Sequence, residues 1–492
     1  MSKQCSIGQT VKETLPKAGG ILFLFVLAFI FSMQCGVNIW NNGEAGIDSS
    51  VFRTVAMLMT KGYMPYMDTF DHKGPLLYII NYLGMLLSYY RGIWILELLT
   101  IFITFYFMYK TARLFCRPLT AGISVMIAST ALYSYFDGGN LVEEYALPFI
   151  AFSLYCYTRY FLKDEVKKWE IFVCGACFAA VLLLRPNMAV IWCVFSLAVF
   201  IHCIVNRAYK VLKKYLILFL AGMSCAVLPV ILWIWVNGAL YDFVNDYIFF
   251  NLKYTGTGTL IDRWNACLYF LKDTVALWAL AIVLYAIVKE ADYLPICYGC
   301  SILLSVYAIS VSGLAYDHYG MILIPVYIYP IGFLLGQCDK AMQKERIASV
   351  FVILYLSVSL MLPVWLDGIS HMIENYDTRD QEKRSEAVTS IVNYIVSNTE
   401  EDDKITVYGN WDIIYVLSQR LPASRYSYQS PIGQIDPTRM EEYLAEITSA
   451  QPELIVLRQE DEEILSFIAN NNYRQVYGTA TDPSIRIFGK EG

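Results

Sequence analysis

The chain has 492 residues, 57% hydrophobic and only 16% charged, with a positive mean hydropathy. Its formal net charge of −6 gives no footing for a nucleic-acid partner. Thirteen cysteines all precede Asp339 and none follows Leu366, so no disulfide framework is indicated.

Apolar runs of membrane-spanning length recur from Ala18 to Leu366, the pattern of a multi-spanning helical membrane protein. The first run, about 20–40, lacks a small-residue cleavage site and reads as a retained signal anchor. A polar loop follows. Within residues 41–75 lie four carboxylates (Glu44, Asp48, Asp68, Asp71), one imidazole (His72) and three cations (Arg53, Lys61, Lys73). Lipid would not tolerate such a set, so it belongs at the water boundary or in a protein cavity. A carboxylate to take a proton, beside cations to hold an anion, suits displacement of a phosphate leaving group.

Basic clusters at Lys3/Lys12/Lys17, Lys110/Arg113/Arg117, Lys163/Lys167/Lys168, Arg207/Lys210/Lys213/Lys214 and Lys340/Lys344/Arg346 are expected to be cytoplasmic. Three apolar runs separate the first two clusters, so one of them does not cross. The short run 76–90, with Asn81 and Gly84, is expected to be interfacial or re-entrant. Spans are then expected at about 118–136, 145–162, 170–184, 187–205, 215–237, 266–288, 294–312, 319–337 and 348–366, giving about eleven crossings. This assignment gathers the first loop (41–91), 137–144, Arg185-Pro186-Asn187, 238–263 and 312–319 on the outer side. Beyond Leu366 the composition becomes that of a soluble unit. Helices are expected at 386–397, 412–419, 441–448 and 461–470, and strands at 404–408, 454–457 and 485–488, an extracytoplasmic α/β domain (367–492) after a transmembrane part (1–366).

Each chemical reading has a plainer rival. Asp48 precedes Ser49-Ser50 and a helical pattern through Lys61, so it reads as an N-cap or as a general base, and the two roles are compatible. Lys73, in His72-Lys73-Gly74-Pro75, is either a snorkelling cation or a phosphate ligand beside a glycine that admits close backbone approach. Arg185 and His318 carry the same choice between a structural role and lipid-phosphate binding. Cys174 and Cys177 form a CxxC inside an apolar run and read as packing residues. No tight metal-ligand spacing occurs, and 251–260, although Gly/Thr-rich, lacks a nucleotide-cradling GK[ST].

An acidic loop after the first span, then Lys61-Gly62, Pro65-Tyr66, Asp68-Thr69-Phe70-Asp71-His72-Lys73-Gly74-Pro75 and an apolar helix, resembles the GT-C superfamily of membrane glycosyltransferases. The nearest branch resembles bacterial relatives of protein O-mannosyltransferases and lipid A aminoarabinose transferases. Gly138-Gly139-Asn140-Leu141-Val142-Glu143-Glu144-Tyr145, Leu184-Arg185-Pro186-Asn187 and Ser312-Gly313 with Tyr316, His318 and Tyr319 are similar to further segments of that branch.

The resemblance implies an α-helical polytopic fold of GT-C type in a bacterial plasma membrane, with the N-terminus cytoplasmic. It implies inverting sugar transfer from a polyprenyl-phosphate donor to an acceptor hydroxyl of a cell-envelope glycan, lipid or protein. The catalytic carboxylate falls on Asp48, with Glu44 as the alternative. Lys73, His72, Arg185, His318 and Tyr319 would hold the donor phosphate, and Glu143, Glu144, Asp71 and Arg53 would orient sugar or acceptor. A single leaving phosphate can be neutralised by protein cations, so no cofactor is required, although the carboxylates are compatible with a divalent metal. The rival class is a transporter or flippase of a lipid-linked glycan; against it stand the absence of duplicated halves and the gathering of polar residues on one side.

Overall fold

A computed structural model describes residues 18–490, except 45, 164–165, 257, 291, 343–346, 382 and 480–481. The basic positions Lys3, Lys12, Lys17, Lys344 and Arg346 lie outside the described residues. Helices dominate as far as Asp377. In chain order they are α1 (Ala18–Ser32), α2 (Ile47–Thr60), α3 (Pro75–Leu87), α4 (Gly92–Ala112), α5 (Pro118–Tyr135), α6 (Val142–Lys163), α7 (Lys168–Leu182), α8 (Val190–Val205) and α9 (Tyr209–Val236). Next come α10 (Leu240–Phe243), a π-helical turn (Val244–Phe249), α11 (Phe250–Thr255), α12 (Leu260–Leu271), α13 (Thr274–Glu290) and α14 (Tyr293–Ile309). A 3-10 turn (Asp317–Leu323) leads into α15 (Ile324–Met342), and α16 (Ile347–Asp377) closes the series.

Among the described residues, three segments are long and apolar enough to cross a membrane: Gly92–Ala112, Tyr209–Val236 and Asp317–Met342. The pair α12 and α13 makes a fourth if counted as one broken span. The span expected at 266–288 falls on these two helices, which are bent by 80° at a break where Asp273 Oδ1 accepts the N–H of Val275 at 2.7 Å. α1, α3, α8 and α14 are shorter apolar helices.

The 13-residue α3 packs between α2 and α4. Its end turns toward the C-terminal unit: Met85 is buried in a cluster with Ile414 and Val416, and Tyr89 OH donates to the Val416 carbonyl at 2.9 Å. Cys174 and Cys177 are free and buried within the apolar core.

α16 continues unbroken past Leu366 to Asp377, and Asn375 Nδ2 donates to the Met33 carbonyl at 2.9 Å, pinning the ends of α16 and α1 together. The chain then builds α17 (Glu386–Asn398), β1 (Lys404–Tyr408), α18 (Ile413–Ser418), β2 (Leu421–Pro422), α19 (Ser430–Ile435), α20 (Thr438–Ala450), β3 (Leu454–Leu457), α21 (Glu462–Asn470), β4 (Tyr473–Gly478) and β5 (Arg486–Lys490). The sheet order is β2-β1-β3-β5-β4. β1 runs parallel to β2 and β3, while β5 runs antiparallel to β3 and β4. β1 and β3 (KITVY and LIVL) are almost wholly buried, as continuous apolar runs in a parallel core should be. β2, β4 and α19 carry no such run and were not expected from the sequence.

Candidate active site

The site is assembled where the first loop meets the loops after α5, α7, α9 and α14, under the C-terminal unit. A cavity of about 510 Å³ there is lined by Asp48, Asp71, His72 and Lys73 of the first loop. Asp137, Phe250, Tyr254, Tyr316, His318 and Tyr319 complete its sides, and Asn410 and Tyr428 reach in from the C-terminal unit.

Asp48 is not the helix N-cap. That position belongs to Gly46, whose extended backbone starts α2 when its carbonyl accepts the N–H of Ser50 at 2.9 Å. Asp48 stands in the first turn, where the partial positive charge of the helix end favours a carboxylate. The two serine hydroxyls that follow Asp48 are both engaged. Ser50 Oγ donates to the Ile47 carbonyl at 2.6 Å, and Ser49 Oγ accepts from Asn140 Nδ2 at 2.9 Å.

Asn140 is the post behind this helix start. Its amide also donates to Asn81 Oδ1, its Oδ1 accepts from Tyr145 OH, and its N–H faces the Glu97 and Glu144 carboxylates. The loop reaches this arrangement through three successive left-handed residues, Gly138 (φ 77°), Gly139 (φ 88°) and Asn140 (φ 57°). A Cβ on Gly139 would lie 2.4 Å from Glu97 Oε1, so only glycine fits.

The His-Lys-Gly-Pro segment docks directly onto the arginine turn. Gly74 N–H donates to the Leu184 carbonyl at 3.0 Å and Leu76 N–H to the Leu183 carbonyl at 3.1 Å. A Cβ on Gly74 would lie 2.0 Å from the Leu183 oxygen. The Lys73 carbonyl accepts from Tyr66 OH (2.8 Å) and Tyr78 OH (3.2 Å), which fixes its backbone. Lys73 Nζ lies 2.8 Å from His72 Nε2. Burial, then repulsion from Lys73 and Arg185, holds His72 well below the ordinary histidine range. His72 is therefore neutral, its Nε2 accepts from Lys73, and its ring lies against Phe250 and Tyr254.

Arg185 stands over the Tyr319 ring at 4.1 Å and donates to Glu143 Oε1 at 2.7 Å. Glu143 is thus the partner of Arg185. His318 stacks on Tyr316 and lies 3.9 Å from the exposed Asp137 carboxylate. Asp71 is buried; it accepts from Tyr78 OH and Tyr428 OH at 2.9 Å each and from the His72 N–H at 2.7 Å. Burial raises its pKa against the opposing effects of Lys73 and the two tyrosines.

Five expected site residues are not part of the cavity lining: Arg185 and Glu143, which pair with each other, and Glu44, Arg53 and Glu144. Glu44 Oε1 accepts the N–H of Ser385 at 2.7 Å, at the start of α17. Arg53 and Glu144 are buried; Arg53 faces Glu97, Asn140 and Tyr90 on the far side of α2. Sequence reasoning missed Phe250, Tyr254, Asn410 and Tyr428. The first pair sits in a segment read as a plain loop, and the second reaches the site only through tertiary docking. That docking is extensive: Phe70 N–H donates to the Arg425 carbonyl at 2.7 Å, and Asp246 pairs with Arg425 and, at 2.8 Å, with Arg439.

The fold superposes on the crystal structure of ArnT from Cupriavidus metallidurans bound to undecaprenyl phosphate, with a TM-score of 0.65 and 13% identity. The match covers 96% of this chain and 98% of that one. The apo state of the same ArnT gives 0.60 at 12% identity over the same shares. The GT-C resemblance therefore holds at the level of the fold. No curated protein matches the chain significantly. Residues 9–345 match the model of the competence-induced protein Ccs4 N-terminal domain, and the chain belongs to that family.

Proposed function

We propose that this protein is a membrane glycosyltransferase that moves a sugar from a polyprenyl-phosphate donor to an acceptor hydroxyl, with inversion. The observation that carries the reading is that Asp48 and the clamped Lys73 line one cavity in a chain with the ArnT fold. On this reading Asp48 takes the acceptor proton as the hydroxyl oxygen attacks the anomeric carbon. The bond from that carbon to the phosphate oxygen breaks, and its electron pair leaves with the lipid monophosphate. Lys73, with Arg185 and His318 nearby, stabilises the developing charge. His72, neutral and accepting from Lys73, positions that ammonium without adding charge of its own. Asp71 holds the same strand of the loop through Tyr78 and Tyr428.

Among the described residues no group of three or more His, Cys, Asp or Glu side chains converges on a metal site, and the proposed charge balance rests on the cations named. The membrane part is proposed to make about eleven crossings in a bacterial plasma membrane, with the N-terminus cytoplasmic. The first loop and the C-terminal unit then share the outer face, where an envelope acceptor is available. Support comes from α3, which is short and turned toward the C-terminal unit. The test is release of free polyprenyl phosphate by the purified protein supplied with lipid-phosphate sugars and envelope acceptors. Wild type should release it and Asp48→Asn and Lys73→Ala should not; a flippase would release none in any form.

A further inference from the structure

Asn410 lines the candidate active-site cavity, and the chemistry proposed above leaves it unused. It stands just beyond the carboxyl end of β1, where the chain turns through two successive left-handed residues, Gly409 (φ 112°) and Asn410 (φ 53°). A Cβ on Gly409 would lie 3.0 Å from the Gln459 backbone nitrogen and 3.1 Å from Arg458 Cβ, so this turn packs closely on the one after β3. Arg458 closes the contact: its Nη1 lies 3.5 Å from the Asn410 carbonyl oxygen and its guanidinium 5.0 Å over the Trp411 ring. In the sheet β2 lies on one side of β1 and β3 on the other, so the strand order reverses here. In open α/β sheets, ligands bind outside the carboxyl ends of the strands at such a reversal.

The Asn410 amide is held one way round. It faces the Gln429 backbone N–H at 3.2 Å, and because that group can only donate, the atom facing it is the oxygen, Oδ1. Gln429 is itself fixed, its Nε2 donating to the Val407, Tyr426 and Ser427 carbonyls at 3.3, 3.1 and 3.3 Å. Asn410 Nδ2 keeps two N–H donors and has no acceptor among the described residues. The C-terminal unit also contributes Tyr428, Ile432 and Ile435 to the lining, but Tyr428 is committed to Asp71 and the isoleucines are apolar. On the proposed reaction the sugar ring lies between Asp48, beside the attacked carbon, and the phosphate held by Lys73. Tyr428 is within electrostatic reach of Asp48, so the wall that carries Asn410 borders that space.

We propose that Asn410 Nδ2 donates to a hydroxyl oxygen of the transferred sugar, so that the C-terminal unit takes part in selecting the donor. The inference rests on the transferase reading of the cavity. A neutral amide held rigid in this way discriminates by geometry: a sugar without the matching hydroxyl leaves its N–H groups unanswered.

The test is native mass spectrometry of the full-length protein in mild detergent, offered undecaprenyl phosphate alone or carrying glucose, galactose, mannose or arabinose. Wild type should retain one sugar-bearing lipid about tenfold better than undecaprenyl phosphate, and deleting one hydroxyl of that sugar should abolish the advantage. Asn410→Gly, which keeps the left-handed turn, should lose the same advantage while retaining undecaprenyl phosphate as wild type does. A folded Asn410→Gly protein that still prefers the sugar-bearing lipid would overturn the proposal. So would weakened retention of undecaprenyl phosphate itself, which would place Asn410 on the phosphate, or the lack of any sugar preference in wild type. If the variant does not fold, the deoxy sugars on wild type decide: a preference that survives deletion of each hydroxyl in turn overturns the proposal. Retention is read without turnover. Sugar-dependent binding with no release of undecaprenyl phosphate would therefore sink the transferase reading alone, and transfer by an Asn410→Gly protein of unchanged preference would sink this inference alone.

Discussion

Tyr428 donates its hydroxyl proton to Asp71 at 2.9 Å, joining the C-terminal unit to the first loop across 357 positions of sequence. Asp71 lies immediately before the His-Lys pair, so the bond couples the docking of one unit to the geometry of the other. Burial raises the Asp71 pKa above the ordinary carboxylate value. A carboxyl whose folded pKa exceeds its unfolded value contributes stability below the unfolded pKa and loses it as pH rises through the folded one.

Tyr428→Phe removes one of three donors to that carboxylate, and the buried charge is then less well solvated. A loss of about 2 kcal/mol is expected when Asp71 is ionised, and less when it is protonated. Thermal unfolding of the purified protein should therefore show a larger difference between wild type and Y428F at pH 8 than at pH 5. A difference independent of pH would mean that the tyrosine acts by packing alone.

Gly74→Ala tests the contact between the Lys73 and Arg185 segments. The added Cβ would overlap the Leu183 carbonyl oxygen, a backbone atom with little freedom to retreat. The loop must shift by roughly an ångström, and misplacement on that scale costs about a hundredfold in turnover. The measurement is kcat for sugar transfer, together with a folding check by size-exclusion chromatography. Wild-type kcat in a folded G74A protein would show that the two segments need not be in register.

The acidic first loop, the His-Lys-Gly-Pro turn, the Gly-Gly-Asn run and the Arg-Pro turn were legible because each is a short polar motif set between apolar runs. Their mutual contacts were not. That Gly74 bonds to Leu184, or that Glu143 answers Arg185, depends on how helices pack, which local pattern does not encode. Strands β1 and β3 were visible as buried apolar runs, whereas β4, largely exposed after Tyr473 and carrying a bulge, was not. The N-cap reading of Asp48 placed the start of α2 two residues late, since Gly46 holds that position and Asp48 stands in the first turn. Phe250 and Tyr254 escaped notice because the π-helical turn before them breaks the 3.6-residue period.

Asp412 supplies a pH prediction in the C-terminal unit. It is fully buried at the start of α18, and burial, only partly offset by Ser427, pushes its pKa up to about 7. The folded value lies above the unfolded one, so its contribution is complete below about pH 4 and is lost as pH rises through about 7. The ceiling on that loss is about 4 kcal/mol. Asp412→Asn keeps the shape and cannot ionise. Its melting temperature should fall less than that of wild type between pH 4 and pH 8; parallel curves would exclude Asp412 as the titrating group.

Asp246 joins Arg425 and Arg439, so the segment that carries Phe250 and Tyr254 is held to the C-terminal unit by charge. Asp246→Ala removes the nearer carboxylate from two largely buried guanidiniums, leaving Arg425 with Asp242 at 3.7 Å and Arg439 with Asp436 at 3.8 Å, and should cost about 1–3 kcal/mol. Amide hydrogen exchange should rise in 246–255 and around Arg425, with little change in β1 or β3. Uniform exchange throughout the protein would instead indicate global unfolding.

Asp48 and Glu44 are separable as candidates for the base. Asp48 lines the cavity at the start of α2, whereas Glu44 accepts the Ser385 N–H outside it. Asp48→Asn preserves size and hydrogen-bonding capacity but cannot take a proton. It should lower kcat about 10²–10⁴-fold while donor binding stays near wild type, the signature of a missing general base. Glu44→Gln should leave kcat unchanged and cost about 1 kcal/mol of stability, because a neutral amide oxygen still accepts from Ser385 but more weakly. Isothermal titration with lipid-phosphate sugar, run beside turnover for both variants, separates the two roles. If Glu44→Gln abolished turnover and Asp48→Asn spared it, the base would be Glu44, and the first loop would have to close differently over bound substrate.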